Sequence, residues 1–137
     1  MQGVVYRRVK AGLEFLVVKR VPTDGGFWQA VTGTIEDGED EVTTLKRELA
    51  EEAGITDPLY ISELLHTYEW AVYDLQGTDH VFAVEVRADS DVKLEPTEHD
   101  EFMWLPLEQA VNKLKYDGNK TSMQQVNDYI KALKPEE

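Results

Sequence analysis

Residues Gly33 to Ile55 read GTIEDGEDEVTTLKRELAEEAGI. The second half of that stretch spaces Val42, Leu45, Leu49 and Ala53 as one face of a helix, predicted from about Asp40 to Ala53. Gly54 stands where a glycine in the left-handed region closes a helix. The first half, rich in Gly, Asp and Glu, is turn. A Gly-containing turn feeding a helix that carries Arg47, Glu48, Glu51 and Glu52 within two turns is where the chemistry concentrates.

Outward from that helix the pattern alternates strand and helix. Gly3 to Arg8 and Glu14 to Lys19 read as a hairpin turning at residues 10–12. Val21 to Gly26 (VPTDGG) is a loop and Phe27 to Val31 a short apolar strand. After the break at Asp57-Pro58 comes a strand within residues 59–72, a turn over Tyr73 to Thr78, and a strand from His80 to Val86, which together predict a second antiparallel hairpin. Phe102 to Leu105 is a further strand, and Pro106 opens a helix running to about Leu114. Asp117-Gly118-Asn119 reads as a turn. Thr121 to Leu133 reads as the last helix, with Met123, Val126, Ile130 and Leu133 as its apolar stripe. The pattern predicts an α/β protein, a mixed sheet with helices on its faces. The 137 residues are read as a single domain over 1–137.

A formal net charge of −13 sets the chain against long nucleic acid and anionic membranes, yet allows small polyanions where a cation neutralises them locally. The chain has no cysteine, which excludes disulfides and thiolate catalysis. No apolar run reaches the roughly 18 residues of a membrane span. No basic leader precedes an apolar segment, so the expected compartment is the cytoplasm.

Helix geometry sharpens the chemistry. At roughly 100° per residue, Glu48 and Glu52 lie about 40° apart in projection, with Glu51 on the flank of the same arc. Like charges at this spacing repel, and partial burial makes ionisation costlier still. A hard divalent cation relieves both effects, and Mg²⁺ prefers one or two carboxylates, waters and substrate phosphate oxygens. The helix therefore looks like half of a magnesium site. The plainer alternative is a solvated charged face. The glutamates adjoin the apolar stripe rather than opposing it, and Lys46 and Arg47 cannot neutralise them all.

Gly33, Glu39, Arg47, Glu48, Leu49, Glu51, Glu52, Gly54 and Ile55 fill every specified position of G-x5-E-x7-R-E-U-x-E-E-x-G-U, where U is a bulky aliphatic residue. That pattern resembles the Nudix hydrolase (MutT-like) box, and the flanking order of elements is similar to the Nudix α/β/α sandwich. The resemblance implies a Mg²⁺-dependent hydrolase of a nucleoside diphosphate linked to another moiety, with Mn²⁺ as a substitute ion. It implies Glu48 and Glu52 as metal ligands. It implies Glu51 as a ligand, direct or through water, or as the group that activates that water. Arg47 is expected to orient the glutamates, Glu39 to brace the loop through Arg47, and the Thr32 carbonyl to complete the metal site. Gly33 and Gly54 are structural positions of the motif.

Two flanking stretches resemble one subgroup, the bacterial dihydroneopterin triphosphate pyrophosphohydrolases, which also act on dATP-type nucleotides. They are Phe27-Trp28-Gln29-Ala30-Val31-Thr32-Gly33, and Thr97-Glu98-His99 ahead of Trp104-Leu105. Asn119-Lys120 is similar to an Asn-Arg pair of that group. Glu98 then maps onto a metal-ligand or general-base glutamate outside the box, with Glu95 and Glu101 as nearby competitors. Lys19 and Arg20 read either as triphosphate contacts or as a solvated strand end. Trp28 and Tyr73 can stack on a base, although packing in the core or a loop is the favoured reading of Trp28. His66, His80 and His99 lack metal-ligand spacing and receive no site role. The expected reaction releases pyrophosphate and a monophosphate from a nucleoside or pterin triphosphate, in a monomer or homodimer. The alternatives are a dinucleoside polyphosphate hydrolase, an altered-nucleotide housecleaning enzyme, and a silent nucleotide-binding module. The last should have lost one of the box glutamates, and all are present.

Overall fold

The computed structural model describes residues 1–72 and 74–133. Tyr73, a base-stacking candidate and the start of a predicted turn, lies outside the described residues, as do residues 134–137. Strands β1 (Gln2–Val9) and β2 (Gly12–Arg20) form the first hairpin, and a short 3-10 turn (Pro22–Asp24) follows. The predicted strand at 27–31 is two short ones, β3 (Trp28–Gln29), which pairs with β2, and β4 (Val31–Thr32), which pairs with β1. Next come α1 (Glu41–Ala53), β5 (Tyr60–Ile61), β6 (His66–Val72) and β7 (Leu75–Val86). β6 and β7 make the second antiparallel hairpin, with Val72 opposite Leu75. Its strands thus run closer to the turn than the sequence pattern predicts, because backbone pairing continues through the polar residues Gln76 to Asp79. The chain ends in β8 (His99–Leu105), α2 (Leu107–Lys113) and α3 (Asp117–Ala132).

All eight strands belong to one sheet. It is mixed, since β1 runs parallel to β7 while its pairings with β2 and β4 are antiparallel. Alternation along β1 and β2 builds a core on each face. Val5, Leu16 and Val18 join Leu45, Leu49 and Ala53 of α1 on one side. Val4, Tyr6, Phe15 and Val17 join Ala110 of α2 and Met123, Val126 and Ile130 of α3 on the other. This is the expected α/β/α sandwich.

Three local expectations are corrected. Asp117-Gly118-Asn119 is the first turn of α3, not a separate turn. Gly118 sits there because an added Cβ would lie 2.8 Å from the ring of Tyr68, and Asn119 Nδ2 donates to the Tyr68 hydroxyl at 3.2 Å. The composition signals a turn, but tertiary contacts recruit it into helix. Val42 (40% exposed), in the first turn of α1, and Leu133 (37% exposed), the residue just past α3, lie outside the core, each at the end of its apolar stripe.

Candidate metal and active site

The site begins with how α1 is started, stopped and held down. Asp40 caps it, its Oδ1 accepting from the Thr43 amide at 2.7 Å. Gly54, at φ 68°, closes it, with the amides of Gly54 and Ile55 returning to Ala50 and Leu49. Leu45, Leu49 and Ala53 are fully buried against the sheet. Fixing that face fixes the rotation of the helix. Glu48 and Glu52 consequently sit at its boundary, each only 9% exposed, while the Glu51 side chain is 61% exposed. Gly33 makes room for one of them: a Cβ there would stand 2.5 Å from Cδ of Glu48.

Arg47 ties the turn to the helix. Its Nε and Nη2 donate to the two carboxylate oxygens of Glu39 at 2.8 and 3.0 Å. Nη1 reaches Glu48 Oε1 at 2.8 Å and Glu51 Oε2 at 3.3 Å, and Nη2 also donates to the Thr34 carbonyl at 3.3 Å. Glu39 further accepts from the Thr44 hydroxyl at 2.9 Å and the Glu36 amide at 3.2 Å. The Arg47 hydrogen bonds hold its carboxyl down to about 2, so it stays an anion and an anchor. Thr44, a buried residue with no distinguishing sequence spacing, is a member of this network that sequence reasoning missed.

The far side of the site comes from the other end of the chain. β8 pairs with β2, and a register shift between Lys19 and Arg20 brings His99 opposite Arg20. The Glu98 carbonyl accepts from the Val21 amide at 3.0 Å. Carboxylate oxygens of Glu52 and Glu98 and a ring nitrogen of His99 then lie within 4.8 Å of one another. Glu95 instead accepts from the Thr97 hydroxyl and amide at 2.9 and 3.3 Å. Glu101, like Glu95, is exposed. Of the three candidates, Glu98 is therefore the one beside Glu52.

The electrostatics are those of crowded, half-dry carboxylates. Burial first, then its hydrogen-bonded contact with Glu98 and the charge of Glu48, push the Glu52 carboxyl up to about 9. Burial also raises Glu48, against the opposing pull of Arg47. Oε2 of Glu52 is buried without a hydrogen-bond partner. An orphaned carboxylate oxygen, a second buried carboxylate one turn away and the half-buried Glu98 carboxylate just ahead of β8 supply hard oxygen donors. That set fits a divalent cation, which would replace the proton that burial favours. Glu48, Glu52 and Glu98 would hold it.

Other candidates fall elsewhere. Trp28 packs against the core on the α2–α3 side, with Lys113 Nζ 5.2 Å from its ring. Lys19 is its cross-strand neighbour and shares that face, opposite α1. Arg20 is ion-paired with Asp24 and lies 5.9 Å over the Phe27 ring. Thr32 ends β4 beside the site and pairs with Gln2. The residues that sequence spacing passed over are Gln29 and His99, both buried, with Gln29 Nε2 3.0 Å from His99 Nε2. The signal was available, since Gln29 lies in FWQAVTG and His99 in Thr97-Glu98-His99.

The chain is 38% identical over 105 residues to an octanoyltransferase of Myxococcus xanthus, covering 75% of this chain and 29% of that protein. It is 35% identical over 99 residues to an RNA pyrophosphohydrolase of Dinoroseobacter shibae, covering 61% of each. It thus spans less than two thirds of the length of either relative. Among solved structures, a C. elegans Ap4A hydrolase binary complex superposes with a TM-score of 0.86 at 25% identity, covering 96% of both chains. The E. coli dihydroneopterin triphosphate pyrophosphohydrolase shares the fold, with a TM-score of 0.78 at 22% identity over 90% of both. The family model described as NUDIX domain matches residues 3–126, which takes in most of both cores, the whole of α1 and the Glu98–His99 corner, and the chain belongs to that family.

Proposed function

We propose that this domain is a metal-dependent pyrophosphohydrolase. It would cleave a nucleoside or pterin triphosphate, such as an NTP, a dNTP or dihydroneopterin triphosphate, to a monophosphate and pyrophosphate. One observation carries the reading: of two nearly buried carboxylates one turn apart on α1, Glu48 and Glu52, the second meets Glu98, just ahead of β8, and keeps one oxygen unpaired. Such an arrangement is costly unless a cation occupies it. A bound divalent ion, Mg²⁺ or Mn²⁺, supplies charge neutralisation at the phosphates and a more acidic bound water.

The chain's own residues do the rest. Glu48 and Glu52 hold the ion from one helix. Arg47, anchored by Glu39, keeps Glu48 and Glu51 from swinging. Glu51, the exposed carboxylate, and Glu98 are the two candidates for taking the proton of the attacking water. The Thr32 carbonyl faces the same corner in this reading. Lys19, Arg20 and Trp28 remain candidate substrate contacts of the subgroup resemblance. Lys19 and Trp28 can act only on a substrate that wraps the sheet edge, since they lie on the other face.

The second reading is a dinucleoside polyphosphate hydrolase, favoured by the extent of the match to the Ap4A hydrolase structure. An RNA 5′ end, suggested by the second curated relative, suits a chain of net charge −13 less well than a free nucleotide. We take the chain to be a single cytoplasmic domain, monomeric or homodimeric. Among the described residues no helix is long and apolar enough to cross a membrane.

The test is a substrate panel with Mg²⁺ and product analysis, containing nucleoside triphosphates, dihydroneopterin triphosphate, diadenosine tetraphosphate and 5′-triphosphate RNA. Pyrophosphate release from a mononucleotide or pterin is expected. Glu52→Gln should lower the rate at least about 100-fold with the fold intact. No turnover of any diphosphate-containing compound favours a silent nucleotide-binding module. An undiminished Glu52→Gln rate refutes the assignment of Glu52.

A further inference from the structure

The carboxylates explain why an ion binds. They do not explain why a histidine is buried beside them. His99 is 1% exposed, and its two ring nitrogens are treated differently. Nε2 lies 3.0 Å from the amide nitrogen of Gln29, which is itself 5% exposed. Nδ1 is buried with no partner at all. A neutral imidazole has one donor and one acceptor nitrogen, and which is which follows from the hydrogen bond the other makes. The oxygen and nitrogen of a glutamine amide are assigned from the same network. Turned about its last bond, the Gln29 amide presents its oxygen to Nε2–H. That orientation, and not the one in which the amide nitrogen donates to Nε2 and the proton sits on Nδ1, gives the Nε2–H tautomer and leaves Nδ1 with a free lone pair.

The strand register shows why the two residues meet. Gln29 on β3 and His99 on β8 flank β2 from opposite sides, opposite Val18 and Arg20 respectively. Val18 belongs to the core on the α1 face. The pair therefore reaches over β2 toward Glu52 and Glu98, whose oxygens gather within 4.8 Å of a His99 ring nitrogen. Oε2 of Glu52 is the other buried polar atom without a partner at this corner. Glu52 and His99, which share this corner, thus each carry one buried atom without a partner, an oxygen and a nitrogen.

We propose that His99 Nδ1 is a ligand of the Glu52–Glu98 cation site, with Gln29 as the residue that sets its tautomer. The inference rests on the metal-dependent reading above. Its chemical consequence is selectivity. Imidazole suits Mn²⁺, Co²⁺ and Zn²⁺, whereas Mg²⁺ is served best by oxygen donors. A nitrogen in the set tilts this site toward Mn²⁺ over Mg²⁺, and Gln29 plays the outer partner that a ligating histidine usually has.

The test reads the ion directly and needs no turnover. The 137-residue chain is loaded with Mn²⁺ and examined by pulsed electron paramagnetic resonance. A nitrogen hyperfine coupling is expected, altered when histidine is nitrogen-15 labelled and lost in His99→Gln. Titration calorimetry should show His99→Gln weakening Mn²⁺ binding roughly 10- to 100-fold, with Mg²⁺ changed less than about threefold. Gln29→Leu should give a smaller loss of the same sign. The wild-type spectrum alone decides the matter if a variant does not fold. No nitrogen coupling, a coupling that survives in His99→Gln, or equal loss of Mn²⁺ and Mg²⁺ affinity overturns the proposal. Mn²⁺ binding without turnover on the substrate panel leaves this inference standing while the hydrolase reading fails.

Discussion

At the scale of single residues, Glu52 is the most consequential side chain. Its folded-state pKa, about 9, lies well above that of an unfolded glutamate. The folded protein then holds a proton that the unfolded chain has lost, so the favourable contribution is complete below the unfolded pKa and is lost as pH rises toward 9. Without added metal, the melting temperature is expected to fall between about pH 5 and pH 9, and Glu52→Gln should flatten that slope. Saturating divalent ion should reverse it, because the ion takes the proton's place. Differential scanning fluorimetry across pH, with and without metal, checks all three. Gly33 sets a second test. Gly33→Ala places a methyl against Glu48, and should cost about 1–3 kcal/mol while weakening metal binding. Denaturant unfolding and calorimetry on the same variant separate the two effects.

At the scale of elements, the turn over residues 33–40 and α1 act as one unit because Arg47 is clamped by Glu39 on one side and leans on Glu48 and Glu51 on the other. Lysine keeps the charge but cannot make two parallel bonds to one carboxylate while reaching a second. Arg47→Lys is therefore expected to lower kcat/KM roughly 10- to 100-fold with little change in circular dichroism. Glu39→Gln should behave in the same direction, since it removes the anchor rather than a ligand. A Glu39→Gln variant with wild-type activity would show the clamp to be dispensable.

At the scale of the whole molecule, the site exists because two distant elements are pressed to the same corner of the sheet. α1 is held there by fully buried Leu45 and Leu49, and β8 by its ladder with β2. Leu49→Ala should destabilise the domain by about 2–5 kcal/mol. Because Leu49 precedes Glu51 and Glu52 on the same helix, metal affinity should fall with it. Chemical denaturation and a metal titration of the folded variant test that coupling. Apolar substitutions confined to the α2–α3 face, such as Met123→Leu, should leave metal affinity untouched.

Much of this was legible in the chain. The helical period of Leu45, Leu49 and Ala53, the start near Asp40 and the stop at Gly54 are local matters, decided by backbone geometry within a few residues. So is the placing of Glu48, Glu51 and Glu52 on one arc. What sequence could not supply is anything set by strand register. That Glu98 rather than Glu95 or Glu101 reaches Glu52 depends on a one-residue irregularity between β2 and β8. That Lys19 and Trp28 lie on the far face follows from alternation along paired strands, and that Asp117-Gly118-Asn119 joins a helix follows from Tyr68. His99 shows the limit best. Its spacing from any glutamate is uninformative, and only folding brings it beside Glu52, 47 positions earlier in the chain. The sequence by itself determined the helix and its charges, because those interactions span four residues or fewer. The tertiary structure alone decided their partners, because a side chain's face and register are fixed by pairings between strands far apart in the chain.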